Sequence, residues 1–149
     1  DNINNNNMEN KKIPNKYKQF SFLSYEITKL LDSKTKKENG IFFTPSNIIQ
    51  ICIDEIIKYS SENNIIINNI LEPSCGSCEF IKFIDQKFNG VNITGIENNN
   101  LIYEKIKNIS SNVNKINLIN KSFFDFNSEK FDLVIGNPPF FVISKNNID

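Results

Sequence analysis

Hydrophobic and polar residues follow two different spacings along this chain of 149 residues. Over residues 17–32 the apolar positions recur at helical spacing, and a second helix is predicted from Pro45 to about Tyr59, with Thr44 as its cap. After residue 64, strand-like segments (65–71, 91–96, 116–119 and 131–135) alternate with helix-like segments (79–88 and 100–109). This alternation predicts an α/β fold with a mostly parallel sheet that helices cover on both faces.

Polar residues, glycines and prolines cluster where the predicted strands end. In open parallel sheets, ligands bind beyond the carboxyl ends of the strands, at the point where the strand order reverses. Four segments lie at or just after such ends: 72–80, 95–98, 123–126 and 137–140. We therefore expect the functional residues among these segments.

Composition excludes several functional classes. The formal net charge is zero, with 17 basic and 17 acidic residues, so the chain lacks the basic excess of a dedicated nucleic-acid binder. Histidine is absent, which excludes Ser-His-Asp and Cys-His catalysis, and with three cysteines no metal site is expected. The odd cysteine count also argues against a disulfide framework and for a reducing compartment.

The chain length suits one domain. Residues 1–16 are polar and rich in asparagine, so we predict a disordered tail followed by a single domain over residues 17–149. The chain has no secretory signal and no stretch of about 18 apolar residues, so we expect a cytoplasmic protein without a membrane partner.

The segment 72–78, Glu-Pro-Ser-Cys-Gly-Ser-Cys, lies between a predicted strand and a predicted helix. Gly76 permits a tight turn, and the amino end of the helix offers unpaired N–H groups that stabilise a carboxylate. Cys75 and Cys78 also form a C-x-x-C pair, which thioredoxin-like redox proteins carry at this position with a lowered thiol pKa. A structural turn with two small buried cysteines is a third interpretation.

The segment Asn137-Pro138-Pro139-Phe140 follows the apolar residues 131–136. The Asn137 amide oxygen and the Pro138 carbonyl are neutral acceptors that can hold an exocyclic NH₂ group, and the prolines restrict the backbone between them. Such acceptors favour attack by the nitrogen lone pair on an electrophile, and Phe140 offers a flat face for stacking a planar group. The alternative is a stiff loop after a buried strand.

Five segments occur in one order along the chain: Gly-Ile-Phe-Phe-Thr-Pro (40–45), EPSCGSCEF (72–80), GIEN (95–98), FFDF (123–126) and NPPF (137–140). Together they resemble the N6-adenine DNA methyltransferases, which use S-adenosylmethionine, over roughly residues 36–143. The resemblance implies a Rossmann-like class I methyltransferase fold with a doubly wound, mostly parallel sheet. The sheet is expected to be truncated after its fourth strand, without a target-recognition domain.

The resemblance also implies roles for individual residues. Cofactor binding is expected from Thr44, Pro45, Glu72, Pro73, Gly76, Cys78, Phe80, Glu97, Asp125 and Phe126, and catalysis from Asn137, Pro138, Pro139 and Phe140. Glu97 follows the glycine loop by about 20 residues, the spacing of an acid that binds ribose hydroxyls. Cys78 stands where these enzymes have glycine, so its side chain is expected to add bulk.

The resemblance therefore implies an adenine-specific DNA methyltransferase of the restriction–modification type that acts on a flipped adenine. DNA is expected to bind through a missing carboxyl-terminal region, or with a partner chain that completes the fold. A methyltransferase of protein glutamine or of RNA is an alternative, since both carry the same asparagine–proline motif. A non-catalytic remnant that acts as a binding module is a further alternative, motivated by Cys78 and the missing strands.

Overall fold

The computed structural model describes residues 14, 18–31, 43–127 and 130–139. The predicted tail at residues 1–16 lies outside this part of the chain, apart from Pro14, and so do Gly40 to Phe42 and Phe140. The helices are α1 (Phe22–Leu30), α2 (Ser46–Glu62), α3 (Glu79–Lys87) and α4 (Asn100–Ile106). The strands are β1 (Asn69–Glu72), β2 (Asn92–Glu97), β3 (Lys115–Asn120) and β4 (Leu133–Val134), and a 3₁₀ turn spans Phe123–Asp125.

The four described strands form one parallel sheet in the order β3-β2-β1-β4. Ile70 of β1 lies opposite Ile93 of β2 on one side and Leu133 of β4 on the other. The chain therefore moves outward from β1 to β3 and then returns to the opposite side of β1, so the strand order reverses between β1 and β4. This arrangement confirms the predicted Rossmann-like, doubly wound parallel fold.

Isoleucine side chains form most of the hydrophobic core. A single cluster joins fully buried residues of the helices with those of the two central strands: Ile49, Ile53, Ile70, Ile81, Ile84, Ile93, Ile102 and Ile106. At Gly95 a Cβ atom would come within 2.5 Å of Ile81 Cδ1 and 2.8 Å of Leu118 Cδ2. The lack of a side chain at Gly95 therefore allows α3 to pack directly against β2.

The sequence placed two element boundaries wrongly. The second helix begins at Ser46, with Pro45 in the cap position and no side-chain cap, so Thr44 does not cap it. The strand predicted from Ile65 starts only at Asn69, and Ile66 is 77% exposed. The Asp132 carboxylate accepts the backbone N–H groups of Asn68 and Asn69 at 2.9 and 2.8 Å, and this contact from a distant part of the chain marks where pairing begins.

No helix within the described residues is long and apolar enough to cross a membrane. Among the α-helices of the described residues, α2 is the longest, with 17 residues, and it combines buried positions such as Ile49 and Ile53 with exposed polar ones. This amphipathic pattern is typical of a helix that packs one face on a core.

Asn114 joins three segments below the amino ends of the strands. Its Oδ1 accepts the Val91 backbone N–H at 3.0 Å, and its Nδ2 donates to Asp85 Oδ1 and to the Phe88 carbonyl, both at 2.8 Å. The side chain is 8% exposed, so no solvent could replace these bonds readily. Asn114 therefore connects the end of α3 to the starts of β2 and β3.

We expect Asn114→Ala to lower the free energy of unfolding by about 1–3 kcal/mol, because it leaves the buried Val91 N–H and Phe88 carbonyl without partners. Asn112→Ala, at an exposed position nearby, is the matched control and should change stability by less than about 0.5 kcal/mol. Urea unfolding of both variants measures the difference. Equal stability of the two variants would contradict this role.

Candidate cofactor and catalytic site

A cavity of about 1040 Å³ opens at the carboxyl ends of the four strands. Its wall contains residues that follow β1, β2, β3 and β4, together with Phe43 and Thr44 from the segment before α2. Nine of the predicted site residues line it: Thr44, Glu72, Pro73, Gly76, Phe80, Glu97, Asn137, Pro138 and Pro139. The structure thus brings together segments that are up to 95 residues apart in the chain.

The loop between β1 and α3 is fastened to β2. The Cys75 N–H donates to the Ile96 carbonyl at 2.8 Å, and the Cys78 N–H donates to the Cys75 carbonyl at 2.7 Å, which closes the turn. Gly76 has a φ of +51°, in the region where side chains are strained, and a Cβ there would lie 3.4 Å from the Phe43 ring. Glycine therefore keeps the loop backbone open toward the cavity.

Glu97, the last residue of β2, bonds to both neighbouring loops. Its Oε2 accepts the Gly76 N–H at 3.0 Å, and its Oε1 accepts the Asn99 N–H at 2.6 Å. Burial raises the pKa of this carboxyl, while the bonds from these backbone N–H groups oppose the increase. Because each carboxylate oxygen can accept more than one bond, Glu97 retains acceptor capacity toward the cavity.

Glu72, the last residue of β1, carries a buried polar atom without a partner. The side chain is 2% exposed, and its Oε2 has no hydrogen bond in the structure. Burial raises the pKa of Glu72 well above its ordinary value, and the nearby Cys75, Glu79 and Glu97 raise it further. Glu72 is also among the residues of the cavity wall, so a positive charge on a bound ligand would favour the ionised form of this carboxyl.

Cys78 does not reach the cavity. Its side chain is 0% exposed within the hydrophobic core, and its backbone is left-handed, with φ 60° and ψ 32°. A left-handed backbone favours glycine, which the enzymes that the sequence resembles have at this position. The bulk expected from Cys78 therefore lies in the core and not in the cavity.

The cysteine pair does not have the features of a redox site. A hydrogen bond with Cys78 and burial both raise the pKa of Cys75, which disfavours the thiolate. A reactive thiol of the thioredoxin type needs the opposite shift and access to solvent. Both cysteines are free and buried, as the interpretation as a structural turn predicts.

Asn137 is held at the cavity mouth by residues from two other segments. Its Nδ2 donates to Thr44 Oγ1 at 3.2 Å, and its backbone carbonyl accepts from Ser74 Oγ at 3.4 Å. Pro138 and Pro139 follow it in exposed positions of the cavity wall. Phe140, the predicted stacking residue, lies outside the described residues.

Three predicted cofactor residues lie outside the cavity wall along with Cys78, namely Pro45, Asp125 and Phe126. After β3 the cavity is lined by Phe123 and Phe124, the first two residues of the segment 123–126, and by Lys121 and Ser122, for which no role was predicted. Phe124 is 95% exposed, an unusual position for a phenylalanine and one that leaves its ring available to a ligand. These residues directly follow a strand, the signal that could have identified them.

A buried polar cluster that no sequence motif indicated lies beneath the loop. Ser24 Oγ of α1 donates to Glu79 Oε1 at 2.5 Å and lies 2.7 Å from Ser77 Oγ. Ser21, the cap of α1, donates to the same Glu79 oxygen. Ser77 and Glu79 also line the cavity, so helix α1 is bonded to the cavity wall.

The charges in the cavity wall fit a ligand that carries positive charge. Glu72, Glu79 and Glu97 contribute carboxyl groups, whereas Lys121 is the single basic residue among the described lining residues. S-adenosylmethionine combines an ammonium and a sulfonium group with ribose hydroxyls, all of which a carboxylate can attract or accept from. The described residues contain no group of side chains suited to a metal ion.

Comparison with known proteins identifies the family. A model of the Eco57I restriction-modification methylases matches residues 46–149, and the chain belongs to this family. Family and fold confirm the assignment to the S-adenosylmethionine-dependent methyltransferases made from the sequence. Within that class, the family is one of restriction–modification enzymes.

Individual relatives are similar over part of their length. The Type II methyltransferase M.CvrRI of Paramecium bursaria Chlorella virus XZ-6E is 34% identical over 125 residues, which cover 83% of this chain and 30% of the relative. The release factor glutamine methyltransferase of Mycoplasma mycoides subsp. mycoides SC is 31% identical over 142 residues, which cover 85% of this chain and 48% of the relative. The chain thus spans less than half of either relative.

Among solved structures, the plantazolicin methyltransferase BpumL in complex with a monoazolic desmethylPZN analogue and SAH is similar to the chain. The sequence identity is 16% and the TM-score 0.49, over 74% of this chain and 39% of BpumL.

We expect Glu72→Gln to stabilise the ligand-free protein increasingly as the pH rises. The pKa of Glu72 is raised in the folded state, so the unfolded state loses its proton first and the ionised carboxyl opposes folding above the unfolded pKa. Melting temperatures should be similar near pH 4, and the variant should melt roughly a few degrees higher near pH 8. Glu62→Gln at an exposed position is the control, and a pH-independent gap for Glu72→Gln would contradict the analysis.

We expect Cys78→Gly to keep or tighten S-adenosylmethionine binding, because the thiol lies in the core and glycine relieves the left-handed backbone. Gly76→Ala should weaken binding by about tenfold or more, because its Cβ would enter the loop beside Phe43 at a positive φ. Calorimetric titration of both variants measures the dissociation constants. A clear loss of affinity in Cys78→Gly would show that the thiol supports the ligand after all.

Proposed function

We propose that this chain carries the catalytic part of a DNA adenine N6-methyltransferase of the restriction–modification type. The observation that carries the proposal is the position of Asn137-Pro138-Pro139 at the mouth of the cavity formed by the loop of Gly76 and by Glu97. The site lies beside β1 and β4, where the strand order reverses and where ligands bind in folds of this type.

The cofactor half of the site is assigned to the loop after β1 and to the end of β2. Glu97 accepts hydrogen bonds from the ribose hydroxyls, and the carboxyl of Glu72 is assigned to the side of the cationic methionine end. Lys121 to Phe124 and Leu101 line the part of the cavity beyond Glu97, where exposed apolar surface suits the adenine ring. When bound, S-adenosylmethionine supplies an electrophilic methyl group.

The catalytic half of the site uses hydrogen-bond acceptors. The Asn137 amide oxygen and the Pro138 carbonyl each accept a hydrogen bond from an exocyclic NH₂ group. These two bonds orient the nitrogen lone pair toward the methyl group. The same oxygens stabilise the positive charge that develops on the nitrogen, which then releases one proton to solvent. No strong base is needed before the attack, which is compatible with a chain that contains no histidine.

DNA is the proposed substrate, and a duplex adenine must leave the base stack to reach such a site. Phe140, next to the two prolines, is the proposed stacking partner of the extruded base. The chain carries no net charge, so we assign most of the phosphate contacts to protein regions outside it or to a partner chain. A cytoplasmic location belongs to the same proposal.

Methylation of a protein glutamine is the second candidate, because one relative at 31% identity is a release factor glutamine methyltransferase. A glutamine amide presents the same planar NH₂ group to Asn137 and Pro138. Mass spectrometry of the products separates the two, since adenine methylation gives N6-methyladenine in DNA and the alternative gives methylglutamine. Methylglutamine without N6-methyladenine would reject the DNA proposal.

We expect Asn137→Ala in the full-length protein to abolish methyl transfer, a loss of at least ~10²–10³-fold in kcat, because it removes a preorganised acceptor at the reacting nitrogen. The dissociation constant for S-adenosylmethionine should stay within about twofold, because the side chain belongs to the substrate half of the site. Asn112→Ala is the matched control and should retain wild-type turnover. Retained turnover in Asn137→Ala would reject the mechanism.

A further inference from the structure

The hydrogen bond between Asn137 and Thr44 joins two residues that are 93 positions apart in the chain. Both line the cavity, and both are partly buried. Thr44 was expected to cap α2, but α2 begins without a side-chain cap and the Thr44 hydroxyl serves Asn137 instead. This contact therefore needs an explanation other than helix initiation.

The backbone on both sides of Asn137 is already fixed. The Ile135 N–H donates to the Leu71 carbonyl at 2.9 Å, which ends the pairing of β4 with β1. Pro138 restricts its own φ and disfavours helical backbone at Asn137, and Ser74 bonds to the Asn137 carbonyl. Only the side-chain torsions of Asn137 remain free. The torsion of a terminal amide has a broad distribution, so it does not fix the orientation of the amide by itself.

Thr44 is itself held in place. It precedes Pro45, whose carbonyl accepts the Ile48 and Ile49 N–H groups of α2 at 3.0 and 3.2 Å. The next N–H, that of Ser46, donates to the Gln19 carbonyl at 3.1 Å. The Thr44 hydroxyl is thus presented from a bonded helix start rather than from a free loop.

The two edges of the Asn137 amide differ in chemistry. Nδ2 is a donor with two N–H bonds, whereas Oδ1 is an acceptor. Only the Oδ1 edge can accept a hydrogen bond from a substrate NH₂ group. With Nδ2 bonded to Thr44, Oδ1 forms the other edge of the planar amide. A rotated amide would set its donors against the donors of the substrate, which is repulsive.

We propose that Thr44 is a positioning residue for methyl transfer: its hydroxyl accepts from Asn137 Nδ2 and thereby keeps Oδ1 available to the substrate amine. The predicted effect of Thr44 on catalysis rests on the proposed function. The hydrogen bond itself can be tested separately, so a failure of one conclusion can be distinguished from a failure of the other.

The first test examines the hydrogen bond in the full-length protein by NMR with asparagine-selective ¹⁵N labelling. Asn137→Ala identifies the side-chain NH₂ signal of Asn137 by its disappearance. Thr44→Val removes the hydroxyl at nearly constant shape, so the Asn137 signal should shift and its protons should exchange faster with solvent. Thr44→Ser keeps the hydroxyl and should retain the wild-type signal.

The second test compares turnover with cofactor affinity. Thr44→Val should lower kcat on adenine-containing DNA by about tenfold or more, the scale of one lost positioning bond, while the dissociation constant for S-adenosylmethionine changes less than about twofold. Thr44→Ser should restore most of kcat. Thr94→Val makes the same substitution in β2, at a residue that does not line the cavity, and serves as the matched control.

Each outcome decides one conclusion. If Thr44→Val lowers cofactor affinity and turnover in parallel, Thr44 contacts the cofactor and the inference is wrong. The inference is also wrong if Thr44→Val changes neither the Asn137 signal nor kcat. If the wild-type protein methylates no adenine, the proposed function fails. The NMR comparison of Thr44→Val with Thr44→Ser still shows whether the hydroxyl orients the amide.

Discussion

The carboxylate of Glu97 is the interaction on which the site depends. It receives the N–H of Gly76 from the loop after β1 and the N–H of Asn99 at the start of α4, so one side chain cross-links three segments at the carboxyl edge of the sheet. Burial makes the ionised form costly, as the raised pKa of Glu97 shows. The backbone donors offset that cost, and a ligand with further hydroxyl donors would offset more of it.

Elements with strong local signals agree closely with their predicted bounds. Helix α3 was predicted over residues 79–88 and spans Glu79–Lys87, while β2 was predicted over 91–96 and spans Asn92–Glu97. Both have apolar positions at the period of their element. The residues from Ile65 onward have a β propensity as high as that of the observed strand, but strand pairing begins only at Asn69. There the Asp132 carboxylate accepts the backbone N–H of Asn69. Pairing over long range, which the sequence does not display, decides that boundary.

The location of the site could be predicted, whereas the direction of its side chains could not. Strand ends identified Glu72, Glu97 and Asn137 because a parallel sheet gathers them at one edge. Cys78 was expected beside the ligand, but its positive φ turns the thiol into the core. After β3 the sequence favoured Asp125 and Phe126, whereas the residues in the cavity wall begin at Lys121, because the 3₁₀ turn at Phe123 carries the chain away.

Helix α1 has a consequence for how this protein can diversify. The family match begins at residue 46, yet Ser21 and Ser24 lie before it and bond to Glu79 in the wall of the cavity. The loop between β1 and α3 is therefore supported by residues that lie outside the part of the chain matched by the family model. Substitutions in α1 can therefore alter the support of that loop, and with it the cavity wall, without changing any residue of the loop itself.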